Sequence, residues 1–168
     1  MTFRKVIQKC DNLFPNQFSS DEKLKFLNEL SALIHTNYII RLKRDEFQGS
    51  ETFSLPDHIS TERIRKIYFD GSEQSGESIF EILKNSSGKK VCIEYIDIPQ
   101  YNLDDKLPVS APYDEMFTYW LLAKVCLHNE DAQGYSNYMN LYNALLYDYK
   151  KCFGENNHCA PLRFKNLW

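Results

Sequence analysis

Pro112-Tyr113-Asp114-Glu115-Met116-Phe117-Thr118-Tyr119-Trp120-Leu121-Leu122-Ala123-Lys124 opens the strongest helical signal in the chain. Proline suits a first helical position, where its missing N–H would have had no partner, and Asp114 and Glu115 complement the positive end of the helix dipole. Met116, Trp120, Ala123 and Leu127 recur at helical spacing, and Phe117, Leu121 and the aliphatic stem of Lys124 broaden the stripe. Asn129-Glu130-Asp131 reads as a turn, with Asp131 placed to cap a second helix. In that helix Tyr135, Tyr138, Tyr142, Leu145 and Tyr149 form a seam at alternating spacings of three and four. The two helices are predicted to fold back as an antiparallel hairpin that Gly154 ends.

Upstream, Ser19 and Glu22 stand in the S-x-x-E relation of a capping box, which starts a helix there. Leu24, Leu27, Leu30 or Ser31, and Ile34 give it an apolar face through about His35, widened by Phe26 and Leu33. Pro15-Asn16 separates it from a shorter amphipathic segment, Phe3 to Leu13. From Asn37 the period changes to two: Tyr38, Ile40 and Leu42 alternate with Ile39, Arg41 and Lys43, the pattern of a strand. Thr52 to Leu55, Ile64 to Phe69 and Lys90 to Ile98 are further β-branched or aromatic runs, punctuated by Pro56-Asp57, Asp70-Gly71, Ser87-Gly88 and Pro99. Ile79 to Leu83 fits a strand or a helical turn equally well. The expected fold class is α+β, in which an N-terminal helix and a C-terminal antiparallel helical hairpin carry an inserted small antiparallel β-sheet. One domain is expected, with residues 1–36 as N-terminal helices, 37–112 as β-rich insert and connector, 113–153 as hairpin and 154–168 as a docking tail.

The chain has 168 residues, 43% of them apolar and 26% charged, enough for a core and too apolar for a wholly disordered polymer. Lys and Arg number 20 against 23 Asp and Glu, a net charge of -3, and the basic cluster Arg41, Lys43, Arg44 is followed at once by Asp45 and Glu46. No continuous stripe for tracking phosphates is present, which argues against nucleic acid as the primary ligand. Neither a signal-peptide core nor a run approaching roughly 18 apolar residues is visible, so a cytosol-like compartment and no membrane partner are expected.

Five cysteines, Cys10, Cys92, Cys126, Cys152 and Cys159, are odd in number and irregularly spaced, a poor disulfide framework. His158 and Cys159 with Cys152 resemble half a zinc site without a second half, and buried or tail thiols are the simpler reading. No phosphate loop, HExxH or GxSxG is present. Asp114 and Glu115 are neighbours about 100° apart on a helix and do not converge on one substrate. His35, His58 and His128 fall at helix ends or turns, where capping or solvent contact explains them. The sequence therefore points to no enzyme, no cofactor and no metal.

Two stretches resemble a known family. The first runs Asp11-Asn12-Leu13-Phe14-Pro15-Asn16-Gln17-Phe18-Ser19-Ser20-Asp21-Glu22-Lys23-Leu24-Lys25-Phe26-Leu27-Asn28-Glu29-Leu30; the second is Val109 to Lys124, continued by Asn129-Glu130, Tyr135-Ser136-Asn137 and Leu141-Tyr142-Asn143. Together they resemble the head-to-tail connector, or adaptor, proteins of tailed bacteriophages and prophages of Gram-positive bacteria. The resemblance implies a non-enzymatic virion protein at the head-tail junction, assembled in the host cytoplasm. Its partners would be the portal protein, neighbouring copies in a homo-oligomeric, dodecameric ring, and a downstream neck or tail protein. Genome DNA would pass through the lumen without specific binding. The insert from about 37 to 98 carries no motif of this kind and departs from the most helical adaptors.

A ring subunit needs a stiff body, apolar surface and terminal arms. The aromatic faces Tyr135, Tyr138 and Tyr142 and the tail residues Leu162, Phe164, Leu167 and Trp168 are the candidate contacts with the portal or a neighbouring subunit, although tyrosines packing the hairpin itself is the plainer reading. Asp104, Asp105, Glu73 and Glu77 are either lumen-lining acids or solvated loop charges. Rival readings are another neck or tail-completion part such as a stopper, a cytosolic helical-hairpin interaction module, and last a small enzyme with dispersed catalytic residues. A single helix pair falls short of the roughly three repeats that a stacked-repeat module needs.

Overall fold

Thr2 and Ser19 start the two N-terminal helices of the computed structural model, which describes residues 1–50, 55–75 and 78–154. The Thr2 side chain accepts from the Lys5 amide and begins α1 (Phe3–Leu13), whose Phe3, Val6, Ile7 and Cys10 are buried at the i, i+3, i+4, i+7 spacing of one helical face. At Ser19 the expected capping box is present: the Ser19 amide donates to Glu22 Oε2 at 2.8 Å and the Glu22 amide to Ser19 Oγ at 3.3 Å, opening α2 (Ser20–Asn37). Leu27, Leu30 and Ile34 are its buried apolar positions, while Leu33 is exposed and does not widen the face. The Glu22 carboxyl is held below its usual range by the hydrogen bonds from Ser19.

The chain divides into two compact units, one of Met1–Ile34 with Pro99–Trp168 and one of His35–Ile98. In the first, α4 (Glu115–His128) and α5 (Ala132–Tyr149) form the antiparallel hairpin read from the sequence, and Asp131 caps α5 by accepting from the Gly134 amide at 2.9 Å. A π-helical turn, Lys150–Gly154, follows. Two expectations for α4 need correction. Pro112 is not its first residue: it lies in a turn closed by the Tyr113 and Asp114 amides on the Ser110 carbonyl, and the helix begins three residues later. Nor does α4 have one apolar stripe. Met116, Phe117, Thr118, Leu121, Leu122, Ala123, Val125 and Cys126 are all buried, so it is the central helix of its unit, while Leu127 at 57% is largely exposed.

Both other helical segments grip α4. Phe3 of α1 meets Phe117 edge-on at 5.9 Å, and Lys9 Nζ pairs with Glu115 at 2.6 Å. The Trp120 indole N–H donates to the Phe26 carbonyl of α2 at 3.1 Å, and Lys124 pairs with Glu29 at 3.3 Å. The connector after Pro99 is fastened to α2 by a reciprocal pair, in which the Asn28 side chain donates to the Tyr101 carbonyl at 3.0 Å and accepts from the Tyr101 amide at 2.9 Å.

In the second unit, β1 (Leu42–Gln48), β2 (Ile64–Phe69), β3 (Ser72–Gln74) and β4 (Lys90–Ile96) make one antiparallel sheet in the order β1-β4-β2-β3. The fold is α+β. Asp70 and Gly71, both at positive φ, form the two-residue turn between β2 and β3, a conformation glycine adopts without strain. The short helix α3 (Ile79–Lys84), capped reciprocally by Ser78 and Glu81, resolves the ambiguous segment as helix. Its Ile82 and Leu83 join Ile59, Ile64, Ile67, Phe69, Val91, Ile93 and Tyr95 in the core of the unit.

The strand read from Tyr38 starts later, at Leu42, because α2 continues to Asn37 and residues 38–41 turn the chain. Thr52 to Ser54 lie outside the described residues, and Leu55 is in no strand. Residues β3 was too short and polar to reveal, Ser72 to Gln74, are placed by pairing with Ile67 to Phe69.

His35 is buried, and its Nδ1 lies 3.1 Å from the Ile39 carbonyl, to which it donates. Burial lowers its pKa below the ordinary 6.5, opposed by that hydrogen bond. The unfolded chain therefore binds the proton more readily than the folded one, so full stability is present above pH 6.5 and is lost as the pH falls through the folded value. Urea midpoints measured from pH 7.5 downward are expected to fall below pH 6.5, and His35→Gln flattens that part of the profile. A slope unchanged by the substitution would contradict this assignment.

Candidate interaction surface

The tyrosine seam of α5 faces α4. Tyr142 is buried at 6% exposure with its ring 5.3 Å from that of Trp120, so its surface is spent inside the hairpin. Tyr149, also buried, meets Tyr113 at 5.2 Å and Phe153 at 4.8 Å, and the Tyr113 hydroxyl donates to Cys152 Sγ at 3.2 Å. That hydrogen bond, with desolvation behind it, raises the Tyr113 pKa. This aromatic cluster lies at the last described turn. Leu162, Phe164, Leu167 and Trp168 lie outside the described residues, as do His158, Cys159 and Glu77.

Tyr135 and Tyr138 are half-buried. Burial, more than the neighbouring Cys126, Cys10 and Asp131, raises the Tyr138 pKa, which keeps its hydroxyl protonated. Tyr135 borders a groove of about 80 Å³ with Trp120, Ala123, Lys124, Leu127 and Met139. The Lys124 ammonium stands 4.8 Å above the Trp120 ring at its rim, a cation–π contact. Leu127 belongs to this groove, which explains how an apolar residue in a helical stripe remains exposed.

A second stripe, missed in the sequence, lies on α5 turned away from the seam: Leu141 at 46% exposure, Ala144, and Tyr147 at 58%. Lys151 Nζ sits 4.5 Å over the Tyr147 ring. Spacing of three through 141, 144 and 147 was the available signal, and the stronger tyrosine seam masked it. Exposed apolar side chains at regular spacing on a stiff helix suit contact with another protein.

A wide polar notch of about 530 Å³ in this unit is lined by Pro15 to Phe18, Glu22, His128 and Asn129. Glu22 is committed to its cap, and the His128 ring tilts against Phe18 at 4.6 Å. Asp114 accepts from the Met1 nitrogen at 3.2 Å and Glu115 from Lys9, so the adjacent acids have separate structural partners.

Family models offer no match to this chain, and none of the curated proteins matches it either. The chemistry of its side chains has to speak from the geometry alone. Among the described residues no three His, Cys, Asp or Glu side chains group as metal ligands. Cys10, Cys92 and Cys126 are free thiols; burial pushes Cys10 up to about 12 and raises Cys126, which keeps both protonated and unreactive. Asp104 is held by Arg4 at 2.7 Å, Asp105 accepts from the Asn102 amide at 2.7 Å, and Glu73 pairs with Lys66 at 2.9 Å. No helix among the described residues is long and apolar enough to cross a membrane.

Proposed function

We propose that this protein is a structural component of the phage neck, a head-to-tail adaptor that binds the portal and joins neighbouring copies in a ring. One observation carries the reading. The two stretches that resemble adaptors, residues 11–30 and 109–150, are separated by the whole β-rich unit, yet they belong to one compact unit and touch through Phe18 and His128, Phe26 and Trp120, and Glu29 and Lys124. The composite sequence pattern thus corresponds to one packed body.

Support also comes from the division of labour in that body. The seam is consumed in holding the hairpin together, which gives stiffness, while the Leu141-Ala144-Tyr147 stripe and the groove beside Leu127 leave apolar surface for neighbours. Leu162, Phe164, Leu167 and Trp168 supply an aromatic arm that grips the portal or an adjacent subunit, because aromatic anchors dominate interface energetics.

The test mixes the full chain, and a chain lacking residues 161–168, with the cognate portal and examines both by negative-stain microscopy alongside melting curves. The expected result is a collar on the portal with the full chain, none with the truncated chain, and equal melting temperatures. A truncated chain that melts lower yet still forms collars would overturn the assignment of the arm. No collar with the full chain would remove the adaptor reading itself.

A further inference from the structure

We infer that β1 is a docking edge for a second copy of this chain, the two strands Leu42–Gln48 pairing antiparallel about a two-fold axis centred on Asp45. The inference concerns the sheet unit alone and does not rest on the neck reading.

The backbone fixes which groups are available. Beside β1, the Asp97 amide donates to the Arg41 carbonyl at 2.8 Å and the Gly49 amide to the Lys89 carbonyl at 2.9 Å. In the register that pairs Leu42 with Ile96 and Gln48 with Lys90, these bonds assign the odd-numbered residues to the ladder with β4. The even-numbered residues Leu42, Arg44, Glu46 and Gln48 therefore turn their N–H and C=O groups outward. β1 ends the sheet, so among the described strands nothing pairs with this row. The same four side chains lie on the sheet's open face and are exposed, Leu42 at 55%, Arg44 at 62% and Glu46 at 59%.

Charge on the open face selects the occupant and the register. Outward groups must meet outward groups, so Arg44 can face only an even-numbered residue of an identical strand. Centring on Asp45 sets Arg44 against Glu46 of the second copy, Glu46 against its Arg44, and Leu42 against its Gln48. Shifting the axis by one residue in either direction sets Arg44 against Arg44 or Glu46 against Glu46. Within each copy Arg44 already pairs with Glu94 at 2.7 Å and Glu46 with Lys90 at 2.8 Å. The dimer extends these into a row of alternating sign, Glu94–Arg44–Glu46–Lys90, across the junction, and opposite charges placed across strands favour that register.

On the other face Asp45 stands opposite Asp45 of the second copy, the one like-charge pair of this register. Its carboxylate accepts from Tyr95 Oη at 2.8 Å, lies 2.9 Å from His58 Nε2, and has Lys43 of the second strand as diagonal neighbour. All seven strand residues find pairing partners, and the two-fold contact closes on itself without leaving a β1 edge to propagate. The opposite edge, β3, has only three residues and is a poor mate for a seven-residue strand.

Glu46→Pro tests the edge with little risk to the fold, because the N–H it removes points away from β4. Sedimentation equilibrium is expected to show dimer for the full chain and at least tenfold weaker association for the proline variant, with matching circular dichroism. Register is read by cysteine scanning in a Cys152→Ser, Cys159→Ser background. Asp45→Cys places two thiols at a non-hydrogen-bonded pair, where Cα atoms are about 4.5 Å apart and within disulfide reach. It is expected to crosslink, and Lys43→Cys, which faces Phe47 of the second copy, is not. Charge provides the third arm: Arg44→Glu alone weakens the dimer, and adding Glu46→Arg restores it. A monomeric parent chain, association indifferent to Glu46→Pro, or equal crosslinking at 43 and 45 would each overturn the inference.

Discussion

Replacing Phe3 by alanine lowers the stability of the helical unit by about 3–5 kcal/mol. Phe3 is fully buried, stacks on Tyr101 with centroids 5.0 Å apart and meets the edge of Phe117 at 5.9 Å. The substitution loses the transfer energy of the ring, opens a cavity between α1 and α4, and removes two aromatic contacts worth about 0.5–1.5 kcal/mol each. The surroundings have little freedom to collapse, since the Arg4 amide is held by the Leu103 carbonyl at 2.7 Å and Tyr101 is tied to Asn28. Against a typical domain stability of about 5–15 kcal/mol, a loss of this size is about a fifth or more of the total. Urea unfolding followed by tryptophan fluorescence, with Trp120 on α4 as reporter, measures it. A loss below about 1 kcal/mol would mean that α1 is not part of the core.

Gly49→Ala is the second large effect, and it falls on the sheet unit. An added Cβ would stand 1.9 Å from the Ser86 carbonyl oxygen and 2.7 Å from its carbon. Both are backbone atoms, and the approach is held from each side, by the Gly49 amide on the Lys89 carbonyl at 2.9 Å, the Gly88 amide on the Gly49 carbonyl at 3.3 Å, and the Lys89 amide on the Ser86 carbonyl at 2.9 Å. No side-chain rotation relieves the overlap. Overpacking costs about 1–3 kcal/mol where neighbours shift, and a rigid backbone neighbour puts this site at or above the upper end. Amide hydrogen exchange is expected to accelerate through β1 and β4 in the variant. Unchanged protection there would show that the junction after β1 is looser than described.

Local chemistry made much of this architecture readable. Ser19 and Glu22 announced α2, Asp131 announced α5, and the Tyr135-to-Tyr149 seam fixed which side of α5 meets α4, because caps and periodicity act within a few residues. Tertiary context decided the rest. Pro112 has the chemistry of a first helical residue, yet the turn from Ser110 uses it earlier. Leu127 continues the α4 stripe in sequence and emerges at the rim of a groove. The adjacent acids Asp114, just before α4, and Glu115, its first residue, take separate partners, the Met1 nitrogen and Lys9, which lie over a hundred residues away and leave no trace in local spacing.

The candidate interaction surface was less legible than the fold. Tyrosine marks packing and binding alike, and only burial distinguishes Tyr142, closed against Trp120, from Tyr147, open on the far side of the same helix. β1 was obscured for a related reason: its charges, Lys43 to Glu46, read as a basic cluster interrupted by acids, and the parity that turns Arg44 and Glu46 outward comes from the ladder with β4.

The proposed neck reading is tested most directly by quantitative mass spectrometry of purified particles, from a phage or induced prophage whose genome carries the gene for this chain. A neck adaptor is recovered with the particles, in fixed proportion to the portal and far below the capsid protein. Particles that contain portal, capsid and tail proteins yet lack this chain would contradict the account.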